Sequence, residues 1–387
     1  MKIYFLTLDI FGMGGTIRTV LNVANYLIDK NYDVEIVSVL RYRKVPFFYI
    51  DPRIKITVLY NVTQKISKPK SIKEFIKVYL TRIKSFLIHP DDEGIHHFSL
   101  FTDIKMYKWI KSVKSGIIIS TRPSFNLFSS KYSNREIIKI GQEHLNLEVY
   151  PERLQKDLRR LYPRLDYLAT LTDDDTESYK KVFKNKDLKI IKLTNSVPPF
   201  ENGVSTLEYK SILAAGRLVP QKGFDLLIEA FEKIVDEVPE WKVKIFGSGK
   251  DKDMLQEMIN EKHLYNNVIL MGPTQEIEKE LMKSSIYALS SRFEGFGMVI
   301  VEAMQCGVPV VSFDCPKGPS EIITNGEDGI LVENGNIDEF SKALLELIKD
   351  RDKLESFSKK AIENVKRYSI NEIGKEWEKL LRGLSVK

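Results

Sequence analysis

Two glutamates in the stretch SRFEGFGMVIVEAMQCGVPVV, residues 291–311, have a spacing that suggests chemistry. Glu294 lies in a glycine-rich loop, and Glu302, after seven intervening residues, lies in an apolar segment of helical spacing that ends at Gly307. Residues eight apart on one helix diverge by about 80°, so we expect Glu294 in the loop and Glu302 inside the helix. Carboxylates accept hydrogen bonds and repel phosphate, so the pair suits neutral hydroxyl groups such as those of ribose and a hexose.

The alternative is structural, with an acid at a helix start and one exposed glutamate. The neighbours of Glu302 argue against it, because they are almost all apolar and a glutamate in such a helix is costly without a partner.

Two cations, Arg217 and Lys222, lie five residues apart in AAGRLVPQKGFD, a loop that a helix follows. Arginine supplies a rigid fork of donors and lysine a compact point charge, which together suit a diphosphate. The alternative is a pair of solvated surface cations, but the loop comes at the carboxyl end of a predicted strand. A nucleotide-sugar has a ribose and a sugar, both rich in hydroxyl groups, on either side of a diphosphate. Acids that bind hydroxyl groups beside cations that bind a diphosphate therefore predict a nucleotide-sugar site.

A glycine pair, Gly14 and Gly15, precedes the first predicted helix in FGMGGTIRT. Glycine lets the backbone approach a ligand closely, and the free N–H groups at a helix start favour an anion. A plain tight turn would use the same glycines, so both interpretations stay open for this loop.

These loops are positioned by strands and helices that alternate along the chain. Apolar β-rich runs and segments of helical period follow one another, pause at TNSVPPFENG, residues 194–203, and restart at SILAAG. Such alternation predicts parallel sheets with helices on both faces, and 387 residues suit two domains. The sequence therefore predicts an α/β protein with two doubly wound, Rossmann-like domains, 1–196 and 204–370, facing each other across a cleft lined by the loops after the strands.

Several classes of protein do not fit the composition. No apolar run approaches the roughly 18 residues of a membrane span, and MKIYFLTLDIFGMGG at the start predicts a buried strand rather than a signal peptide. Cys306 and Cys315 are the only cysteines, so neither a disulfide framework nor a zinc site is expected. We therefore expect a cytoplasmic protein.

The net charge of +6 is unevenly distributed. Residues 1–200 contain 34 Lys and Arg against 21 Asp and Glu, a balance of +13, and the remainder has a balance of −7. Such asymmetry indicates that the first half meets nucleic acid, anionic lipid or a phosphate-bearing substrate. A nucleic-acid module would need basic residues interleaved with exposed aromatic residues on one face, and the acidic second half with its sugar-type loops argues against it.

Taken in order, the motifs resemble the retaining glycosyltransferases of family 4, which have the GT-B fold. The resemblance is strongest over residues 211–335, with GRLVPQKGFDLLIEAF, VKIFGSG, NVILMG, SRFEGFGMVIVEAMQCGVPVV and GPSEIITNGEDGILV. The first half carries GMGGTIRTVLNVANYL and the QEH of residues 142–144. The terminal stretch, 371–387, resembles the family's last helix, which crosses back onto the first domain.

The resemblance implies catalytic roles for four residues. Arg217 and Lys222 are expected to hold the donor diphosphate and to stabilise the leaving nucleoside diphosphate. Glu294 is expected to bind hydroxyl groups of the transferred sugar as a positioning group and not as a nucleophile. His144 matches a family histidine near the reacting centre, although a structural histidine is the simpler interpretation of that residue alone.

The resemblance also implies a set of donor-binding residues. They are expected to contact phosphate, sugar, ribose or base through side chains or backbone amides: Gly14, Gly15, Met271, Gly272, Phe296, Gly297, Met298 and Glu302. Within this set, Glu302 is assigned to the ribose, and Met271 and Gly272 to the base.

The implied reaction is transfer of a hexose or N-acetylhexosamine with retention, with attack and departure on the same face of the sugar. Catalysis then rests on positioning and charge stabilisation. Because Arg and Lys neutralise the diphosphate, no metal and no other cofactor is expected. The family's surface-glycan branch implies a uridine diphosphate-sugar (UDP-sugar) donor.

Residues 65–89, KISKPKSIKEFIKVYLTRIKSFLIH, contain seven Lys and Arg and one acid. Their apolar residues follow helical spacing at Ile72, Phe75, Ile76, Tyr79, Ile83, Phe86 and Leu87. The pattern predicts a basic amphipathic helix that either lies on an anionic membrane surface or packs on the first domain's sheet. The first alternative gives a peripheral location on the inner face of the cell membrane.

The expected acceptor is a lipid-linked or polymeric glycan of the cell surface, or a phosphate-bearing polymer, because SFDCPKGPSEII resembles bacterial polysaccharide and teichoic-acid transferases. Two alternatives with the same fold stay open. One is a nucleotide-sugar epimerase that uses no acceptor, and the other is a transferase that acts on a sugar phosphate.

Overall fold

The computed structural model describes residues 1–64, 69–200 and 203–384. It forms two compact units, an N-terminal unit of Met1–Ser196 with Ile373–Lys387 and a C-terminal unit of Val197–Glu372. Parts of the predicted basic segment (65–68), linker (201–202) and terminal stretch (385–387) lie outside the described residues.

The described part of the N-terminal unit is built on a seven-stranded parallel sheet with the order β3-β2-β1-β4-β5-β6-β7. The order reverses between β1 and β4, and in such sheets ligands bind outside the carboxyl ends of the strands at this switch point. The strands are β1 (Lys2–Thr7), β2 (Asp33–Arg41), β3 (Lys55–Asn61), β4 (Gly116–Ser120), β5 (Ile137–Gln142), β6 (Tyr167–Thr170) and β7 (Lys189–Lys192).

Helices cover both faces of this sheet. Phe5 and Leu6, neighbours on β1, are both fully buried but belong to different cores, because successive side chains of a strand point to opposite faces. The helices are α1 (Gly15–Asp29), α2 (Ile72–Arg82), α3 (Leu100–Ser112), α4 (Pro123–Tyr132), α5 (Glu152–Leu161) and α6 (Asp173–Val182). The near-continuous apolar runs of the strands are those of a sheet covered on both sides.

The described part of the C-terminal unit has a six-stranded parallel sheet with the order β10-β9-β8-β11-β12-β13, which reverses between β8 and β11. The strands are β8 (Ser211–Ala215), β9 (Lys242–Phe246), β10 (Val268–Gly272), β11 (Ile286–Leu289), β12 (Val310–Asp314) and β13 (Gly329–Glu333). The helices of this unit are α7 (Phe224–Glu232), α8 (Lys252–Glu261), α9 (Ile277–Leu281), α10 (Met298–Gln305), α11 (Pro319–Ile322), α12 (Ile337–Lys349) and α13 (Arg351–Asn364).

The last helix, α14 (Ile370–Gly383), packs on the N-terminal unit. Its Trp377 is 1% exposed and meets the ring of Phe5 edge to face, with 6.5 Å between ring centroids. Gly374 lies so close to Tyr26 of α1 that a Cβ at this position would be 2.4 Å from the tyrosine ring. This packing is the return of the terminal helix that the resemblance implied.

Helix α2 is the predicted basic amphipathic helix, and its apolar stripe faces solvent. Ile72, Phe75, Ile76 and Tyr79 are 78, 62, 53 and 67% exposed, and no residue of this fully described helix is buried. The helix is shorter than the predicted segment, and Leu87, a later member of the predicted stripe, packs against the N-terminal core. Packing on the sheet is therefore not observed for the four stripe residues of α2. Among the helices of the described residues, none combines the length and apolar character needed to cross a bilayer.

Candidate active site

The loop after β8 carries the two predicted cations. Arg217 is exposed, and Lys222 ends a turn of 3₁₀ helix, Pro220–Lys222. The aliphatic stem of Lys222 lies over Gly216, where a Cβ would be 3.2 Å from three of its carbons. Gly223 follows with φ 59°, a left-handed conformation that favours glycine, and α7 begins directly after it. The backbone thus turns sharply and directs Lys222 along the sheet edge.

The loop after β11 carries Glu294, which is 8% exposed. Lys222 Nζ donates to Glu294 Oε1 at 2.6 Å, and Ser291 Oγ donates to the same oxygen at 2.6 Å. Because β8 and β11 flank the switch point, the predicted cation and the predicted carboxylate meet where a doubly wound sheet binds its ligand.

Further bonds join these two loops into one body. Arg292 binds Asp225 with two parallel bonds, from Nη1 at 2.9 Å and Nη2 at 2.6 Å. The Arg292 amide donates to the Gln221 carbonyl at 2.8 Å, and Gln221 Nε2 donates to the Phe293 carbonyl at 3.1 Å. A bidentate guanidinium–carboxylate pair has a fixed geometry, so it sets the spacing between the loop of Lys222 and the loop of Glu294.

Arg217 holds a weaker position than Lys222. Its Nη2 donates to Gln221 Oε1 at 3.3 Å, and its side chain is exposed. Gln221 also binds the loop after β11. Arg217 is therefore attached to the edge of the two joined loops, and its side chain is open to solvent.

Glu302 lies in α10 and is 4% exposed. Burial raises the pKa of the Tyr287 hydroxyl, on β11, well above its usual value, and the charges of Glu294 and Glu302 raise it further. The helix places Glu302 in its second turn, as its spacing predicted.

The residues before α10 offer backbone rather than side chains. Phe296 is 3% exposed, and its ring packs against Tyr368 at 5.6 Å between centroids. Gly297 has φ 92° and caps α10, which begins at Met298. A Cβ at Gly318 would lie 2.4 Å from the Phe296 carbonyl oxygen, so a second loop supports this segment closely.

Met271 and Gly272 lie at the end of β10, on the other side of the switch point. Met271 is 44% exposed, which leaves an apolar side chain available to a flat ring. Gly272 has φ 78°, and its carbonyl accepts from the Gly247 amide at 2.9 Å. Gly247 in turn approaches the loop after β8, since a Cβ there would be 1.8 Å from the Gly216 carbonyl oxygen. The loops after β8, β9 and β10 are thus in contact.

Three predicted residues lie in the N-terminal unit. Gly14 has φ 151° and precedes α1, whose first residue is Gly15. His144 follows β5 and is half-buried, and its Nε2 atom is buried without a hydrogen-bond partner among the described residues. Burial lowers the pKa of His144 to about 4, so the imidazole is neutral at pH 7.

Sequence reasoning missed several residues at these edges. Cys315, after β12, is 1% exposed; burial and then the Glu294 charge raise its pKa to about 12, so a neutral thiol lies near that carboxylate. Ser291, Asp225 and Arg292 were also not singled out. A serine three residues before Glu294 in a strand-end loop was the available signal for Ser291, whereas nothing local pairs Asp225 with Arg292.

Metal binding has no support from acidic or histidine clusters. Within residues 1–64, 69–200 and 203–384, no group of three or more His, Cys, Asp or Glu side chains is arranged to hold a metal ion. Metal independence stays a prediction.

Residues 200–364 match the family model of glycosyl transferases group 1. We refer to the matched residues as the glycosyltransferase domain, after the description of that model. This glycosyltransferase domain contains Arg217, Lys222, Glu294 and Glu302, and its limits enclose the loops after β8 to β12. Gly14, Gly15 and His144 lie outside it.

Two curated relatives extend the similarity beyond the glycosyltransferase domain. An exopolysaccharide phosphotransferase of Streptomyces coelicolor is 31% identical over 388 residues, which cover 99% of this chain and 41% of that protein. A poly(glycerol-phosphate) alpha-glucosyltransferase of Bacillus subtilis is 25% identical over 395 residues, 95% of this chain and 56% of that protein. The chain thus spans about half the length of these relatives.

A solved structure shows the same fold over the whole chain. A mutant of TarM from S. aureus, in complex with Fondaparinux, alpha-GlcNAc-glycerol and UDP, superposes with a TM-score of 0.79 at 22% identity. The match covers 99% of this chain and 100% of the other. The chain therefore has the GT-B fold, with the glycosyltransferase domain as its C-terminal Rossmann-like unit.

Proposed function

We propose that this chain is a retaining glycosyltransferase that moves a hexose or N-acetylhexosamine from a UDP-sugar to a bacterial surface glycan or polymer. One observation carries the proposal: Lys222 and Glu294 meet at the switch point of the glycosyltransferase domain, with Arg217 exposed on the same loop. The cations suit the diphosphate of a nucleotide-sugar, and the carboxylate beside them suits the hydroxyl groups of its sugar.

In this proposal Lys222 and Arg217 bind the diphosphate and stabilise its charge as the sugar leaves. Donors already fixed in place before the reaction stabilise developing charge without reorganisation. Lys222 is fixed by its ion pair and by its stem on Gly216, so it acts as the fixed charge. The exposed Arg217 closes on the phosphates when the donor binds.

Glu294 positions the sugar. Lys222 and Ser291 both donate to Oε1, and these bonds reduce the electron density that a nucleophile would need. The carboxylate therefore suits hydroxyl binding, and the acceptor hydroxyl attacks from the face that the diphosphate leaves, with its proton passing to the departing phosphate. Glu302 binds the ribose, and the exposed Met271 lies against the base.

The acceptor proposal draws on the relatives. One is named for exopolysaccharide and another for poly(glycerol-phosphate), and the TarM structure contains UDP and alpha-GlcNAc-glycerol. These names have in common polymers of the bacterial surface. The basic balance of residues 1–200 agrees with a phosphate-bearing member of this class.

The exposed stripe of α2 is the proposed contact with an anionic bilayer at the cytoplasmic face. Its half-buried residues are Glu74, Lys77, Val78, Leu80 and Thr81, whereas the large apolar side chains of the stripe are exposed. Lys70, Lys73, Arg82 and Lys84 are exposed on or beside the helix and complement anionic lipid.

Vesicle sedimentation tests this contact. We expect the wild type to sediment with vesicles of phosphatidylglycerol and to stay in solution with phosphatidylcholine alone. Phe75→Glu with Tyr79→Glu should abolish sedimentation and leave UDP binding intact. Equal sedimentation of this double variant would refute the contact without affecting the transferase proposal.

The donor proposal is tested by thermal shift with nucleoside diphosphates and their sugars, with and without divalent metal. UDP and one UDP-sugar should raise the melting temperature of the wild type in both conditions. Arg217→Ala should lose the larger part of that shift, whereas Lys359→Ala, which removes an exposed cation from α13, should keep it. No shift with any nucleotide would overturn the proposal. Anomeric NMR of the transfer product then distinguishes retention from inversion, and a free epimer without acceptor identifies an epimerase.

A further inference from the structure

The switch point of the N-terminal sheet gathers cations for which the donor site has no use. Asp9 and Phe11 follow β1, Arg41 to Lys44 end and follow β2, and Arg122 follows β4. In a doubly wound sheet the carboxyl ends of these strands are where a ligand binds. We call Arg41, Arg43, Lys44, His96, His97 and Arg122 the edge cluster.

Hydrogen bonds hold the loops of the edge cluster in place. Asp9 accepts from the Phe11 amide at 3.0 Å and from the Tyr42 amide at 3.2 Å, which ties the loop after β1 to the loop after β2. Tyr42 Oη lies 2.9 Å from His97 Nδ1, which ties the second loop to the segment before α3. The cations are therefore carried on a connected frame and not on separate flexible loops.

Arg122 is the most constrained cation of the edge cluster. Its Nη2 donates to Asp92, and its guanidinium carbon lies 5.8 and 5.6 Å from the ring centroids of Phe98 and Phe125. Its Nε atom is buried and lacks a hydrogen-bond partner among the described residues. The Arg122 side chain is nevertheless 20% exposed, so the part of the guanidinium that solvent reaches is available to an oxyanion.

The His97 ring lies 4.1 Å from the His96 ring and 5.6 Å from the Tyr42 ring, measured between centroids. Burial lowers the pKa of His97 below its usual value, and the charges of His96 and Arg122 lower it further, while Asp9 and Asp92 act in the opposite direction. Asp9 and Asp92 are 8 and 5% exposed and already accept the bonds described above. Arg43 and Lys44 are exposed, and so is Glu93, so the outer surface of the edge cluster carries two cations and one acid.

Resting on the proposed function, we propose that the edge cluster binds a phosphodiester group of the acceptor, with Arg43, His97 and Arg122 as its main contacts. Arginine forks bind phosphate oxygens in pairs, and an imidazole beside them donates once it is protonated. The acceptor class is then a polyol-phosphate polymer rather than a neutral glycan. A phosphate site in this unit accounts for part of the excess of Lys and Arg over Asp and Glu in residues 1–200.

A ring NMR titration of His97 tests the site directly, with sn-glycerol 3-phosphate as the probe and glycerol as the neutral control. A bound phosphate favours the charged imidazole, so the pKa of His97 should rise with the phosphate and stay constant with glycerol. Tyr42→Phe keeps the ring packing and confirms the assignment of the His97 signal. An unchanged His97 pKa at saturating phosphate would overturn the site.

A transfer assay separates this site from the proposed function. Arg43→Ala with Lys44→Ala should raise KM for poly(glycerol phosphate) by about tenfold and leave the thermal shift with UDP unchanged. The matched control, Lys184→Ala with Lys186→Ala, removes two exposed lysines of the same unit and should leave KM within about twofold. Equal KM changes in both pairs, or transfer to a neutral glycan as efficient as to the polymer, contradicts the phosphate site. Absence of any UDP shift instead contradicts the proposed function.

Discussion

Lys222 and Glu294 are 72 residues apart in sequence, yet Lys222 Nζ lies 2.6 Å from Glu294 Oε1 across the switch point between β8 and β11. Their side chains are 18 and 7% exposed, so solvent screens the pair only in part. In the free protein each charge neutralises the other. In the proposed function, a diphosphate bound to Lys222 would add a second anion beside Glu294, so the carboxylate would weaken diphosphate binding while it positions the sugar.

Glu294→Gln should separate these two effects. The amide keeps an acceptor for Ser291 and Lys222 but removes the negative charge, so UDP should bind at least as tightly as in the wild type. Sugar transfer should fall tenfold or more, because a hydrogen bond to a charged group is worth about 1.5–3 kcal/mol. Titration calorimetry with UDP and turnover with the UDP-sugar measure the two quantities. Glu257→Gln, at an exposed glutamate of α8, is the control, and parallel loss of UDP binding and turnover contradicts this division of roles.

Gly223→Ala tests how closely the two loops must approach. A Cβ at Gly223 would lie 2.0 Å from the Ser290 carbonyl oxygen, and φ is 59°. The left-handed conformation alone costs roughly 1–2 kcal/mol for alanine, and the contact forces the loops apart. We expect a lower free energy of unfolding by urea and a KM for the donor raised at least tenfold.

Gly335→Ala is the matched control for that variant. Gly335 has φ 82° in the same unit, but a Cβ there meets nothing within 4 Å. Gly335→Ala should lower the free energy of unfolding through the cost of the left-handed conformation, and it should leave the KM for the donor unchanged. If both variants raise KM equally, loop approach at Gly223 is not the cause.

Asp225→Asn tests the bidentate bond to Arg292. Burial raises the pKa of Asp225, but the bonds and charge of Arg292 outweigh it and hold the pKa below its usual value. Both side chains are about a third exposed, so we expect a modest stability loss of about 1 kcal/mol. Donor KM should rise more than kcat falls, because the loop of Glu294 loses its anchor and not its chemistry. Asp253→Asn on α8 is the control, and a fall confined to kcat contradicts an anchoring role.

The elements that position the site were predictable because they are buried on both sides. β8, β11 and β12 read as apolar runs in the sequence, and Gly223, Gly297 and Gly307 mark their turns and helix ends. The edge strands β3 and β7 carried a weaker signal. They are half-exposed along most of their length and so lack a continuous apolar run.

The candidate site was predictable by residue type but not by contact. Arg217, Lys222, Glu294 and Glu302 were identified from the chemistry of their side chains at strand ends. The ion pair between Lys222 and Glu294 was not predicted, because it joins loops far apart in sequence. The orientation of α2 was also left open, because helical spacing defines an apolar stripe without saying which way it faces.

Glu143 and His144 are adjacent at the end of β5 and have opposite responses to pH. Glu143 is 2% exposed, and burial raises its pKa to about 7 although Tyr162, Tyr150 and Asn126 all donate to it and lower the value. The nearby Asp175 carboxylate adds to the rise. His144, beside it in the chain, has its pKa lowered to about 4 by burial.

The two residues should therefore contribute stability in different pH ranges. A carboxyl whose pKa is raised from 4.5 to about 7 stabilises the fold below pH 4.5, and this contribution is lost as pH rises through 7. A histidine whose pKa is lowered from 6.5 to about 4 stabilises the fold above pH 6.5, and this contribution is lost as pH falls through 4. Between these limits the two slopes oppose each other.

Urea unfolding between pH 4.5 and 7.5 should reveal the two slopes in single variants. The stability of the wild type relative to Glu143→Gln should decrease with rising pH by about 2–3 kcal/mol, because only the wild type must ionise a buried carboxyl. Relative to His144→Asn it should increase with rising pH, because only the wild type loses stability when the imidazole is protonated. Glu148→Gln, at an exposed glutamate of the same segment, should give a flat difference. A flat or reversed slope for either variant would contradict the burial of that group.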